Sequence, residues 1–332
     1  MREQEIIDML ARLASGSSPE LLAGIGDDCA VISKNDRLSW LVTMDTLIEE
    51  VHFDRKWHAA GLLGRKCVAV NISDIAAMGG TPVFVFLSLG LPAGYDPRWL
   101  EDFSQGLAAA CKEFGCLLAG GDTVRSPGGI VITLTVLGEA ASDQVVLRSG
   151  ARSGDTLWVS GTLGNAAAGL ELCRRGRADA PRLRGLVMAH LNPSPRLELG
   201  RRLAQAGLAH AMMDLSDGLA TDLAHLCVQS GVGVRIDSAS LPASSSLREA
   251  ALLLGSDCLT WMVAGGEDYE LAFAAAPDRR QAILTTAAEV GVPVTAVGIF
   301  DERPGVRLVR PDQAGIGKIE EDISYEGFDH FS

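Results

Sequence analysis

Short runs of β-branched and aromatic residues alternate with helix-length segments along the whole chain, without the strict strand–helix–strand period of a doubly wound sheet. That alternation points to an α+β fold, with sheets layered against helices. In the first half Trp40–Met44 reads as a strand ending at Asp45. Residues 59–78 read as a helix with Ala69, Ile72 and Ala76 at spacings of three and four, ended by Gly79-Gly80. Val83–Leu89 is a strand, Pro97–Glu113 a helix closed by Gly115, and Ile130–Leu137 a strand. In the second half Thr156–Ser160 is a strand and Asn165 to about Arg174 an Ala-rich helix. Ser216 is placed to cap a helix running to Gln229, with Leu219, Leu223, Leu226 and Cys227 on one face. Val232–Ile236, Leu271–Ala274 and Val292–Ile299 read as further strands.

A chain of 332 residues has room for about two domains. The pattern breaks at Ala140–Asp143 and again at Arg148–Asp155, which divides the chain into units 1–143 and 144–332. No low-complexity linker separates them, so the halves are expected to pack together.

Charge narrows the function. The net charge of −13 disfavours sequence-independent nucleic-acid binding, which needs a basic face, and adsorption to an anionic membrane. The most apolar run, Val83–Leu91, is half the length of a membrane-spanning helix. The N-terminus opens charged and amphipathic, without a signal-peptide core, so the cytoplasm is the expected compartment. The seven cysteines form no C-x-x-C pair and read as small buried hydrophobes.

The chain lacks the phosphate loop G-x-x-x-x-G-K-[ST], the dinucleotide fingerprint G-x-G-x-x-G and the G-x-S-x-G elbow of serine hydrolases. What recurs is aspartate beside glycine or at an element end. The sites are Gly24–Asp28, Thr43–Asp45, Asn71–Asp74, Gly120–Asp122, Asp214–Gly218 and Gly265–Asp268. Singly, each fits an ordinary turn or helix cap. Converging, they would repel one another unless cations neutralised them, and Mg²⁺ takes such oxygen ligands together with substrate phosphates.

The ordered set GIGDDCA, MDTLIEEVHF, NISDIAAMG, GGDTVR, RSGARSGD, DLSDG, GGEDYEL and GFDHF resembles the thiamine-monophosphate kinase family, within the superfamily of aminoimidazole ribonucleotide synthetase and selenophosphate synthetase. The resemblance runs from about residue 20 to the C-terminus. It implies a two-domain α+β fold and a homodimer whose N-terminal sheets pair into a barrel-like core. It also implies direct transfer of the ATP γ-phosphoryl group to thiamine monophosphate, with several Mg²⁺ ions. The nucleophile is then a phosphate oxygen, already anionic near neutral pH, so no catalytic base is expected.

Carried onto this sequence, the resemblance implies metal ligation by Asp28 (or its neighbour Asp27), Thr43, Met44 through its carbonyl, Asp45, Asp74, Asp122, Asp214 and Asp217. It implies ATP contacts from Gly121, Asp122, Arg148 and Ser216. On the substrate side it implies His52, Glu267 against the aminopyrimidine, and Tyr325 against the substrate ring. Asp214 and Asp217, three apart, are expected on one side of a helix start. Glu50 stands where the family commonly has glycine, Met44 where it has a small polar residue, and Phe328 where it often has tyrosine.

Other members of the superfamily fit less well. The lysine-bearing glycine loop with a reactive cysteine of selenophosphate synthetases does not precede Gly24, and the terminal cysteine of hydrogenase-maturation relatives is replaced by Phe331-Ser332. The GGEDYEL and GFDHF pair is not expected of aminoimidazole ribonucleotide synthetase. A calcium-binding module would need EF-hand or RTX spacing, which the Asp-Gly sites lack.

Overall fold

The computed structural model describes residues 3–14, 16, 18–312 and 317–330. The first half comprises α1 (Glu3–Ala14), β1 (Leu21–Ala23), β2 (Ala30–Ser33), β3 (Leu38–Ile48), α2 (Ala60–Ala77), β4 (Thr81–Pro92), α3 (Pro97–Phe114), β5 (Leu117–Ser126) and β6 (Val131–Ala141). Its six strands form one sheet in the order β1-β2-β3-β6-β4-β5. Only β4 and β5 run parallel, and α3 supplies the crossover that a parallel pair requires.

The second half comprises β7 (Thr156–Ser160), α4 (Asn165–Arg174), α5 (Arg184–Leu191), α6 (Leu197–Gln205), β8 (Ala211–Asp214), α7 (Leu219–Ser230) and β9 (Gly233–Asp237). It continues with α8 (Ser245–Leu254), α9 (Cys258–Ala264), β10 (Leu271–Ala275), α10 (Arg280–Glu289), β11 (Val294–Asp301), β12 (Gly305–Pro311) and β13 (Lys318–Asp322). These seven strands form a second mixed sheet, ordered β13-β12-β9-β11-β7-β10-β8, with β9 and β12 parallel. The chain is therefore a two-domain α+β protein. Six of the seven cysteines are buried as expected, and Cys258 is half-buried.

Local chemistry explains the elements that carry the site. The Asp96 carboxylate accepts from Arg98 N at the start of α3, Pro97 opens the helix, and Gly115 closes it at φ 74°. Helix α2 is apolar on nearly every side and is buried between the first sheet, α3, α6 and β8. It lies against α3 because glycine permits the approach: a Cβ on Gly64 would sit 2.1 Å from Phe103 O. The central strands β3 and β6 alternate strictly, with Leu41, Thr43 and Leu47 facing α2 beside Ile132, Leu134 and Val136. Their opposite face is left uncovered among the described residues, exposing Met44 and Phe86, and β5 is exposed along residues 117–125.

Four local expectations are corrected. Strand β3 does not end at Asp45; it runs on to Ile48 because Thr46–Ile48 pair with Val131–Thr133. Gly120–Asp122 is not a loop but the middle of β5, paired with Phe86–Ser88. A Cβ on Gly121 would lie 1.8 Å from Leu87 O, so glycine here serves strand pairing. Ser216 caps no helix. Helix α7 begins at Leu219 behind Gly218 (φ 118°), and Asp222 in its first turn accepts from Asp217 N (3.2 Å) and Gly218 N (3.1 Å). Asp214 closes β8 and Asp217 lies in the turn, so the pair does not sit on a helix start.

Candidate active site

Asp28 follows β1, Asp74 lies on α2, and Asp214 is the last residue of β8. One carboxylate oxygen from each lies within 4.8 Å of the others. Thr43 Oγ1 donates to Asp74 Oδ2 at 2.5 Å, and Arg148 Nη2 donates to Asp28 Oδ1 at 2.7 Å. Asp27 accepts from Arg148 N at 3.0 Å, and Asp28 is the member of the pair that joins the cluster. Asp28 Oδ2 and Asp214 Oδ2 are buried and find no hydrogen-bond partner among the described residues.

The electrostatics of this cluster are unbalanced. Burial, then the Asp28 charge, pushes the Asp214 carboxyl up to about 8. Burial, then Asp45 and Asp214, raises Asp74 well above the carboxylate range. Asp45 is pushed up to about 6 by burial and then by Asp217, which is itself raised to about 6, chiefly by burial. Asp45 and Asp217 thus add further negative charge felt by the trio of Asp28, Asp74 and Asp214 and by each other. Orphaned, hard, anionic oxygens that repel one another fit a divalent cation of the Mg²⁺ type.

A cavity of about 770 Å³ is lined by Asp45, His52, His190, Ser216, Asp217 and Glu267 among others. Its walls come from both halves of the chain: the β3–α2 connection on one side, and the 216–217 and 266–269 turns on the other. These two turns are tied together, since Glu267 N donates to Ser216 O (2.7 Å) and Tyr269 N to Leu215 O (2.8 Å). His52 Nδ1 accepts from Ile48 N at 3.0 Å, which fixes its ring at the cavity wall. Glu50, two residues before it, holds φ 69°, a left-handed position that glycine adopts without strain.

The model for AIR synthase related protein, N-terminal domain, matches residues 26–140, and that for the C-terminal domain matches residues 152–310. Thiamine-monophosphate kinase of Escherichia coli O157:H7 is 38% identical over 312 residues, covering 93% of this chain and 92% of that protein. The chain belongs to the thiamine-monophosphate kinase family. A solved thiamine-monophosphate kinase from Stenotrophomonas maltophilia K279a is 37% identical with a TM-score of 0.77, over 92% of this chain and 94% of that one. A structure described as AaThiL complexed with AMPPCP and TMP is 33% identical with a TM-score of 0.85, over 99% of this chain and 97% of that one.

Of the residues that the resemblance to thiamine-monophosphate kinases singles out, the structure gathers Asp28, Thr43, Asp74, Arg148 and Asp214 at the cluster. It sets Asp45, His52, Ser216, Asp217 and Glu267 around the cavity. Met44 also lines the cavity, yet its side chain is exposed, so only its backbone stands beside Thr43 and Asp45. Three expected residues are placed elsewhere. Gly121 and Asp122 lie on exposed β5, where Asp122 shares a register row with Ser88, Thr133 and Thr46 on the uncovered face. Asp45, the residue before Thr46, shares the α2-facing parity of Thr43 and Leu47, so Asp122 does not join the acids within this chain. Tyr325 packs edge-on to His225, 5.5 Å between centroids, and is not on the cavity wall. Phe328 is, because its N donates to Asp217 O at 2.9 Å and draws the terminal segment over the cavity. Phe331, last of that motif, lies outside the described residues.

Sequence reasoning missed several residues that hold this arrangement. Asn71 Oδ1 accepts from Asp45 N at 3.2 Å, coupling α2 to β3. Asp222 secures the DLSDG turn from inside α7. Lys66, wholly buried, donates to Glu267 Oε1 at 2.5 Å, and His190 Nδ1 lies 2.6 Å from Glu267 Oε2. The available signal was Lys66 itself, the second of two adjacent charges and the one that abuts the apolar run Cys67–Val70.

Proposed function

We propose that this chain phosphorylates thiamine monophosphate to thiamine diphosphate, using ATP as co-substrate by direct γ-phosphoryl transfer. The observation that carries the reading is the trio Asp28, Asp74 and Asp214, with two orphaned oxygens, electrostatically linked to Asp45, which lines a cavity sized for a small molecule. The near full-length similarity to thiamine-monophosphate kinases supports the choice of substrate. The description of AaThiL as complexed with AMPPCP and TMP supports the pairing of an ATP-type nucleotide with the phosphate acceptor.

Asp28, Asp74 and Asp214 would hold Mg²⁺, with Asp45 and Asp217 offering further carboxylates toward the cavity. Bound there, Mg²⁺ would cancel charge between two polyanions and polarise the transferring phosphoryl group. The chain's own part is positioning. Arg148 aims its guanidinium along the cluster, where a phosphate oxygen can take the second side of its fork. Lys56 and Arg174 add positive charge at the cavity wall for phosphate. His52 fits the thiamine phosphate side, Glu267 the aminopyrimidine, and Ser216 the ATP phosphates. The aromatic wall against the substrate ring is assigned to Phe328 rather than Tyr325. No base is required, because the attacking phosphate oxygen is already ionised.

The reading includes a homodimer formed through the uncovered face of the first sheet. Exposed Met44, Phe86 and Val124, together with the bare β5 strand, support it. Gly121 and Asp122 lie on the surface this pairing would bury, so their nucleotide role depends on the second copy. Units 1–143 and 144–332 are the proposed domains, the first for metal binding and dimerisation and the second closing over the ligands. Cytoplasmic residence fits a biosynthetic kinase, and among the described residues no helix is long and apolar enough to cross a membrane.

The test is a product assay with ATP, Mg²⁺ and thiamine monophosphate, resolved by chromatography, with chelated and plain-thiamine controls. Equal amounts of ADP and thiamine diphosphate, dependent on metal, are expected. ADP without thiamine diphosphate would move the chain to another acceptor in the superfamily.

A further inference from the structure

Glu267 is held from behind on both oxygens. Lys66 reaches Oε1 from α2 and His190 reaches Oε2 from α5, so three separate segments meet at one carboxylate. Both partners are buried, at 0% and 2% side-chain exposure, whereas the Glu267 side chain remains 24% exposed and lines the cavity. The backbone is fixed as firmly. Glu267 sits at φ 68°, a conformation that side-chain-bearing residues disfavour, pinned by its bond to Ser216 O. A lysine taken fully out of water needs a counter-charge, and Glu267 is the one it has been given. The consequence for recognition is specific. Lys66 cancels the Glu267 charge, so the pair attracts cations weakly. An ionised carboxylate has about four acceptor positions, so each oxygen still has capacity for a ligand donor. What faces the cavity is a fixed hydrogen-bond acceptor without net charge.

We propose that Lys66 and His190 are positioning residues that hold Glu267 as this acceptor, and that the trio selects ligands bearing an amine where the pyrimidine ring enters. The proposal rests on the reading of Glu267 as the pyrimidine contact. Although burial alone would raise the Glu267 carboxyl, Lys66 and then His190 hold it below the usual carboxylate range. Burial, then Lys66, keeps His190 below the usual imidazole range, so the ring donates from Nδ1 as a neutral group. Without Lys66 the buried carboxyl would take up a proton and present a donor to the amine.

The experiment compares kcat/KM for thiamine monophosphate with that for its analogue carrying oxygen in place of the exocyclic amine, with the KM for ATP measured alongside. Glu267→Gln, Lys66→Met and His190→Leu are each expected to shrink the amino-over-oxo preference by about tenfold or more, the usual worth of a hydrogen bond to a charged group. The KM for ATP should stay unchanged. His190→Asn, which keeps a donor near Nδ1, is expected to retain the preference. Lys66→Met combined with Glu267→Gln should match Glu267→Gln alone, since Lys66 acts through Glu267. The double variant removes both charges, so it tests the proposal even if Lys66→Met does not fold. A preference lowered by Glu267→Gln but untouched by Lys66→Met and His190→Leu would overturn the positioning role. Equal losses in His190→Asn and His190→Leu would overturn it for His190. A preference that survives Glu267→Gln would instead overturn the Glu267 reading on which the proposal stands.

Discussion

The Arg148 guanidinium grips Asp28 Oδ1 at 2.7 Å, while Asp28 Oδ2 is buried without a partner among the described residues. One carboxylate thereby faces a fixed cation on one side and two further carboxylates on the other. Arg148 pairs with Asp28 and lowers the cost of charge on Asp214, which offsets part of the repulsion among the three clustered acids.

Arg148→Met is accordingly expected to lower the stability of the chelated protein by about 3–5 kcal/mol, the usual cost of leaving one partner of a buried pair alone. Mg²⁺ should restore much of that loss, because it supplies the missing charge. Thermal melts with and without metal check this. A variant equally stable in both conditions would show that Arg148 does not balance the cluster.

The pH dependence of the chelated protein follows from Asp214. Its carboxyl is pushed up to about 8 in the folded chain, from 3.8. Above the unfolded value the unfolded chain sheds its proton while the folded chain keeps it. Stability therefore falls as pH rises from about 4 toward 8, by at most about 1.4 kcal/mol per pH unit for one such group. Asp214→Asn should flatten that slope and raise the melting temperature at pH 8 while abolishing phosphoryl transfer. A slope unchanged in the variant would assign the effect to other acids.

The fold was largely readable because its signals are local. The alternation in β6, the Asp96-Pro97 start and the Gly115 stop each lie within one segment. The identity of Asp28, Asp74 and Asp214 was readable from motif order, but their convergence was not, since they come from three separate elements. Asp122 misled for the same reason: Gly-Gly-Asp reads as a turn, and only pairing with β4 makes it a strand. Ser216 resembled a cap because the Asp222 side chain that does the capping follows rather than precedes the turn. The Lys66–Glu267 pair joins the two halves and leaves no periodic trace in either.

At the aromatic wall, Phe328 lines the cavity whereas Tyr325 leans on His225. Phe328→Ala is expected to raise the KM for thiamine monophosphate about tenfold, from lost stacking and apolar contact, with the KM for ATP little changed. Tyr325→Ala should change either KM far less. Steady-state kinetics on both variants decide it, and a larger effect from Tyr325 would mean that the terminal segment rearranges when substrate binds.

The uncovered face of the first sheet fits a second copy of the chain. Phe86 is 38% exposed and Met44 66% exposed on strands whose other faces are buried in the core. A charge placed there costs the monomer little, because the side chain already meets water, but would be buried and unpaired between two copies. Phe86→Glu is therefore expected to leave the melting temperature of the monomer near that of the parent chain while abolishing the proposed dimer in sedimentation. Activity should fall with it if Asp122 reaches a nucleotide only within the paired assembly. A variant that sediments as a dimer would place the contact on another surface, and a fully active monomer would remove Asp122 from the site.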